Sequence, residues 1–306
     1  HLCDRRQRQM CIRDSDYTFE ANQAEGALKI ELTVKGDQGT MATSEVNITL
    51  TKPEPTPEPG EGEMVDSRDN HVYKTVEIGE QTWMAENLAY LPKVNKPAAA
   101  ATCEGEPLYF VYDYDGEDVN AAKNTETYKT YGVLYNWYAA MNKENEEGKD
   151  ADAVPSGVQG ICPSGWHLPS KAEWKILENF VAEQLPPVEG DVWEDDFGDK
   201  HSDPNCKNVW SALAGLEGWG ASGNSDMNPD LANGPRNTYG LTVIPSGQCY
   251  QTGSFGWSES GADFWTTEMQ SQGAGNITFS NNSYGITYSK YGITPKRGFP
   301  IRCIKD

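Results

Sequence analysis

The stretch GVQGICPSGWHLPSKAEWKILENF, residues 157–180, decides how the main part of the chain folds. Ser170 is followed three residues on by Glu173, so hydroxyl and carboxylate can each accept a backbone N–H of the other in a capping box. Behind that cap Ile176, Leu177, Phe180 and Val181 recur as an apolar stripe, and Pro186-Pro187 ends it. The pattern predicts a helix over 170–185, entered through a Gly/Pro turn that carries Trp166 and His167.

Working towards the N-terminus, YGVLYNWYAAMN (131–142) spaces Val133, Leu134, Trp137, Tyr138 and Met141 as a second helical stripe, and VYKTVEIGEQTWMAENLAY (72–90) reads as a strand pair turning at Gly79-Glu80. Towards the C-terminus, KNVWSALAGL (207–216) fits a shorter helix. After Trp219 the texture changes to Gly, Ser and Asn loops holding short strands: YGLTVIP (239–245), DFWTTE (263–268), NITFS (276–280), YGITYS (284–289) and FPIRCI (299–304). Early helices followed by a late antiparallel sheet make an α+β fold class.

The segment before this domain is of another kind. ALKIELTVK alternates Leu28, Ile30, Leu32 and Val34, SEVNITLT alternates Val46, Ile48 and Leu50, and DYTFEA precedes them. Strict alternation marks strands with one buried face, and too few are present to close a sandwich. Residues 16–51 therefore resemble the end of an immunoglobulin-like or PKD-like module. KPEPTPEPGEGE (52–63) follows as an extended Pro/Glu linker, and 64–306 reads as one domain. Residues 1–15, HLCDRRQRQMCIRDS, hold four of the eight arginines and lack the apolar core of a signal peptide. They resemble translated sequencing-adapter read-through, are set aside as a non-native leader, and leave the native N-terminus and its export signal expected elsewhere.

The 306 residues carry 25 Lys+Arg against 46 Asp+Glu, a formal charge of −21. Phosphates would be repelled, which argues against nucleic acid and anionic membrane surfaces as partners. No apolar run approaches the ~18 residues of a transmembrane segment. The 9 Trp and 15 Tyr supply a core although hydrophobic residues are only 37% of the chain.

Five stretches, VYKTVEIGEQTWMAENLAYLP (72–92), VYDYDGEDVNAAKNTETYKTYGVLYNWYAAM (111–141), the opening 157–180 stretch, DFWTTE (263–268) and GFPIRCIKD (298–306), together resemble the Fibrobacter succinogenes major paralogous domain family of exported bacterial proteins. The resemblance implies a C-type-lectin-like fold, secreted or at the cell surface, with no established enzymatic activity. CPSGWHLPSKAEW is also similar to the corresponding segment of formylglycine-generating enzymes, which share that fold. The sequence departs from the family at residues 186–206, an expanded acidic loop, and at Cys249 in QCYQTGSFGWSESGADFW (248–265).

Outside the leader stand Cys103, Cys162, Cys206, Cys249 and Cys303, without the spacings of a zinc site. The fold resemblance implies a Cys162–Cys303 disulfide, with two buried free thiols as the alternative. Cys206–Cys249 is a second candidate pair, and the odd count leaves Cys103 over; disulfides would suit an exported protein. Among the histidines, His71 lies in an opening turn, His201 in the acidic loop, and His167 in a capped turn where a ring packed beside Trp166 with a backbone hydrogen bond is expected. No nucleophile elbow, HExxH, P-loop or dinucleotide fingerprint is present, so no catalytic residues are assigned. An oxidase-like enzyme related to the formylglycine-generating enzymes is the alternative, and it would need Cys249 and Cys303 as a cooperating pair.

No cofactor or metal is expected. Calcium is conceivable at Asp113–Asp118, but Gly116 stands at the fourth position where an EF-hand needs the sixth. The acidic run Asp191–Asp203, Asp203-Pro204-Asn205 and Asn228-Pro229-Asp230 lack the spacing of a lectin calcium site. Ligand binding is instead expected at aromatics set among small polar residues: Trp219, Tyr250, Phe255, Trp257, Tyr284, Tyr288 and Tyr291, with Tyr284 and Tyr288 alternatively roofing the sheet. Trp83, Trp137, Trp166, Trp174 and Trp265 are assigned to the core. The expected function is a noncatalytic exported surface module that binds polysaccharide or a cell-surface protein; a purely structural surface protein is a further alternative.

Overall fold

The computed structural model describes residues 26–35, 41–50, 58–142, 152–185, 193–194, 200–201, 206–220, 236–281 and 285–306. The chain divides into two units, His1–Pro55 and Thr56–Asp306. In the first, β1 (Gly26–Lys35) pairs antiparallel with β2 (Met41–Leu50), with Leu28 opposite Ile48 and Ile30 opposite Val46. The alternating residues are thus cross-strand neighbours. DYTFEA lies outside the described residues.

The second unit begins with β3 (Glu63–Asp66), β4 (His71–Ile78) and β5 (Gln81–Met84), the last two forming the hairpin at Gly79-Glu80. Then come α1 (Ala99–Thr102), β6 (Tyr109–Phe110), α2 (Val119–Lys123), α3 (Glu126–Tyr131), β7 (Leu134–Tyr135), α4 (Trp137–Met141), β8 (Trp166–His167) and α5 (Lys171–Gln184). They are followed by β9 (Trp193–Glu194), β10 (Lys200–His201), α6 (Cys206–Leu213), β11 (Ser246–Cys249), β12 (Phe255–Ser258), β13 (Gly261–Gln270), β14 (Gly273–Ser280), β15 (Gly285–Tyr288) and β16 (Ile304–Lys305). One sheet has the order β3-β4-β5-β16-β8, so the last strand lies between β5 and β8; a second has the order β12-β11-β13-β14-β15. Helices and sheets together make the unit α+β.

Three local expectations are corrected. The stripe at 131–142 is not one helix: Gly132 takes φ +72°, Leu134–Tyr135 pairs with β6, and Asn136 caps α4 by accepting the Ala139 N–H. The polar Asn136 offers the backbone a cap, which outcompetes continuation of the helix. In α5 the capping box at Ser170 and Glu173 is present, but Ile176 is exposed; the buried stripe is Trp174, Leu177 and Val181. YGLTVIP forms no strand, only an isolated bridge from Val243 to Ala214.

Trp174 joins the layers. Its ring lies 4.5 Å from Trp83 on the first sheet and 5.6 Å and 6.0 Å from Phe264 and Phe279 on the second. Trp83, Trp137, Trp166, Trp174 and Trp265 are all buried, as is Trp210 of α6. Such rings dominate the buried apolar area of a core. Cys162 and Cys303 are disulfide-bonded, tying the turn before β8 to the end of the chain across 141 positions. Beside them the buried Arg302 guanidinium donates to Asn87 Oδ1 and to the carbonyls of Met84, Leu241 and Thr242. Burial pulls its pKa down to about 9, so it remains a cation at neutral pH.

Candidate functional site

The β11–β12 hairpin is the edge of the second sheet, and it carries half-buried aromatics where the rest of the sheet is buried. Its register sets Cys249 opposite Phe255 and Ser246 opposite Ser258. The connecting turn closes by Tyr250 N–H to Ser254 C=O and Gly253 N–H to Tyr250 C=O. Gly253, at φ +82°, packs against the α1 approach, where a Cβ would lie 2.7 Å from Ala98 Cα. A side chain there would push the hairpin off its support.

Phe255 stacks 5.2 Å from Tyr112, and Tyr112 lies edge-on to Tyr131 at 6.0 Å and donates its hydroxyl to Ser258 Oγ at 2.9 Å. Trp257 takes φ +68°, a conformation that bulky residues rarely adopt. Its indole reaches over Gly261, where a Cβ would stand 2.8 Å from Cη2. Tyr250 closes the other side, with the Arg297 guanidinium 5.4 Å from its ring centroid. Arg297 donates from Nε to Gln251 Oε1 at 2.8 Å and from Nη1 to Gln248 Oε1 at 3.0 Å.

Behind this rim the sheet is polar. The buried Asp263 carboxylate accepts from Thr278 Oγ1, from Asn276 Nδ2 at 2.9 Å and from Gln248 Nε2 at 3.4 Å. Burial pushes its pKa up to about 6, against the opposing pull of Thr278, Arg297 and Asn276. Asn276 Oδ1 and Ser246 Oγ are buried without a hydrogen-bond partner among the described residues.

Of the aromatics expected to bind, Tyr250, Phe255 and Trp257 lie on the one β11–β12 hairpin, each partly buried, and the others are dispersed. Trp219 packs 4.9 Å from Trp210. Tyr288 is buried under α5 and donates its hydroxyl to Glu178, a correction that follows from Tyr288 sharing the apolar face of Ile286, Phe264 and Phe279. Tyr291 is exposed, with Lys290 beside it. Tyr284 lies outside the described residues. Tyr112, Gln248, Asp263 and Arg297 were missed; an arginine amid Gly and aromatics in an acidic chain was the available signal for Arg297.

His167 is held differently from expectation. Its Nδ1 lies 2.7 Å from Asp306 Oδ1 and its Nε2 2.8 Å from Glu173 Oε1, so carboxylates and not a backbone carbonyl hold the ring. Burial alone would lower its pKa, but the two carboxylates raise it above the usual value. Cys249 is a buried free thiol pushed up to about 12 by desolvation, so the Cys206–Cys249 bridge is not formed: Cys249 sits in an apolar cluster with Phe110 and Leu134. Cys103, also free, lies in that cluster.

Of the calcium candidates, Asp118 is engaged in capping α2, accepting the N–H groups of Asn120 and Ala121. The run Asp191–Asp203 and the two Pro-containing tripeptides have side chains outside the described residues. No group of three or more His, Cys, Asp or Glu among the described residues has the geometry to hold a metal. No helix among them is long and apolar enough to cross a membrane.

The model of the Fibrobacter succinogenes major domain matches residues 76–305. No curated protein and no solved structure matches the chain.

Proposed function

The chain belongs to the Fibrobacter succinogenes major domain family, and we propose that it is a noncatalytic, exported surface module of C-type-lectin-like fold that binds polysaccharide through the β11–β12 hairpin. The observation that carries this is that Tyr250, Phe255 and Trp257, all only partly buried, lie on one edge hairpin, with Tyr112 against Phe255 and the Gln251 amide beside it. Rings of this kind offer stacking area at low entropic cost, and Gln and Arg offer hydrogen bonds to sugar hydroxyls. The Cys162–Cys303 disulfide, linking the turn before β8 to the residue that precedes the last strand, suits both the fold and an oxidising compartment. The β1–β2 pair fits the end of an immunoglobulin-like module in front of it.

An oxidase related to the formylglycine-generating enzymes is disfavoured because Cys303 is committed to the disulfide and the Cys249 thiol is held protonated. Only thiolates react. The test is a glycan array with the full chain, with and without EDTA, beside a Tyr250→Ala/Trp257→Ala variant. Binding that survives EDTA and vanishes in the double variant is expected. Silence on every glycan, or binding untouched by the substitutions, would overturn the proposal; loss with EDTA would replace it with a calcium-dependent site.

A further inference from the structure

The cationic group of the hairpin rim is oriented more tightly than stacking alone requires. Arg297 closes the Thr294–Arg297 turn through its N–H, and two glutamines hold its guanidinium: Gln251 Oε1 takes Nε–H and Gln248 Oε1 takes one Nη1–H. Nε–H points to the Nη2 side and Nη1 lies on the other, so the glutamines hold the group from two sides and leave Nη2 unused. Among the described residues Nη2 carries no hydrogen bond, and the guanidinium carbon lies over the partly buried Tyr250 ring, 5.4 Å from its centroid. Asp263, which feels the Arg297 charge, is occupied by Thr278, Asn276 and Gln248, so it steadies the cation without closing the fork. A guanidinium fixed in this way, with free N–H groups next to a flat ring, matches a carboxylate attached to a ring that can stack.

We infer that Tyr250 and Arg297 form a subsite for a uronic acid residue, the sugar ring packing against Tyr250 and its carboxylate meeting the free Nη2 amino group of Arg297. This rests on the glycan-binding proposal above and specifies its ligand. The acidity of the chain adds a constraint. A formal charge of −21 repels a polyanion at long range, so the fitting ligand is a largely neutral polysaccharide with isolated acidic units. The unpartnered Asn276 Oδ1 and the Ser246 hydroxyl lie on strands of the same sheet, deeper than the rim.

Calorimetry on the full chain tests this with two probes: a neutral hexose tetrasaccharide ending in one glucuronic acid, and the same oligosaccharide with that carboxyl reduced to the alcohol. The acid form is expected to bind at least about tenfold tighter. Arg297→Gln should bring the acid form to the level of the reduced one while leaving the reduced form within about twofold, and Arg297→Lys, which keeps charge but loses the fork, should fall between. Thermal melting monitors folding, and the comparison of the two ligands on the parent protein stands even if a variant fails to fold. Equal affinity for the two probes would overturn the uronate subsite and leave the glycan-binding proposal intact. Binding of neither probe would overturn the subsite, and only silence across the neutral array as well would remove the wider proposal.

Discussion

His167 Nε2 lies 2.8 Å from Glu173 Oε1 in the buried entry to α5, and the same carboxylate accepts the Ser170 N–H through its other oxygen. One glutamate therefore completes the capping box and fixes the histidine. Because Asp306 faces Nδ1, and ionised carboxylates only accept, both ring nitrogens must donate while the two carboxylates are charged, which favours the imidazolium.

A pH dependence follows. The folded pKa of His167 is raised above its unfolded value of about 6.5. The group binds its proton more tightly when folded, so its contribution is fully present below about pH 6.5 and is lost as pH rises through the folded value. Melting temperature measured from pH 5.5 upward should fall across that window in the parent, and His167→Gln should flatten the fall. A parent curve that rises through the window would contradict the protonated imidazole. At pH 6, His167→Ala leaves the buried Glu173 uncompensated and should cost on the order of 3 kcal/mol.

The disulfide should account for a separate share of stability. Closing a loop of 141 positions restricts the unfolded chain by roughly 4–5 kcal/mol in the chain-entropy account. Cys162→Ala/Cys303→Ala should lower the urea midpoint correspondingly, and reductant should do the same to the parent while leaving the variant unmoved. Buried Cys103 and Cys249 should resist thiol reagents until the protein unfolds.

Trp257 provides a test of strain at the hairpin. Its φ of +68° costs an L-residue roughly 1–2 kcal/mol that glycine does not incur. Trp257→Gly should therefore be more stable than Trp257→Ala by about 1 kcal/mol, the reverse of the order normal within regular secondary structure. Both variants lose the indole, so both should lose glycan binding. If the alanine variant proves the more stable, the strained backbone is not a property of the native hairpin.

What the sequence revealed and what it hid divide along physical lines. The α5 cap, the Gly79-Glu80 hairpin and five of the core tryptophans were legible because each rests on local chemistry: a hydroxyl three residues from a carboxylate, a turn dipeptide, a large ring in patterned sequence. Ile176 and Leu134 were misassigned because apolar spacing fits several faces, and tertiary contacts choose among them. Tyr112 and Arg297 were hidden because they come from segments 185 positions apart, brought to one hairpin only by the fold. The aromatics of the C-terminal half looked alike in sequence, yet Tyr288 lies on a strand facing the core while Tyr250 stands in the turn after β11 and stays partly exposed.

Asp263 gives the sharpest link between the polar sheet and stability. Its carboxyl is pushed up to about 6 when folded, against about 3.9 unfolded. A raised carboxyl pKa means that the folded state holds the proton more tightly, so this group costs stability progressively as pH rises from about 4 to about 6, and fully above that. Asn at 263 keeps an oxygen for the Thr278 hydroxyl and the Asn276 amide, and it cannot ionise. Against that gain stand the weakened contact to Gln248 Nε2 at 3.4 Å and the lost attraction to Arg297. Asp263→Asn should therefore be more stable than the parent at pH 8 by on the order of 1 kcal/mol, with the advantage gone by pH 4. Denaturant titrations of both proteins at the two pH values decide it. A variant that is less stable at pH 8 would mean that the charge attraction of Arg297 and the hydrogen bonds to the carboxylate outweigh its desolvation, and it would make Asp263 a structural counter-charge for the rim.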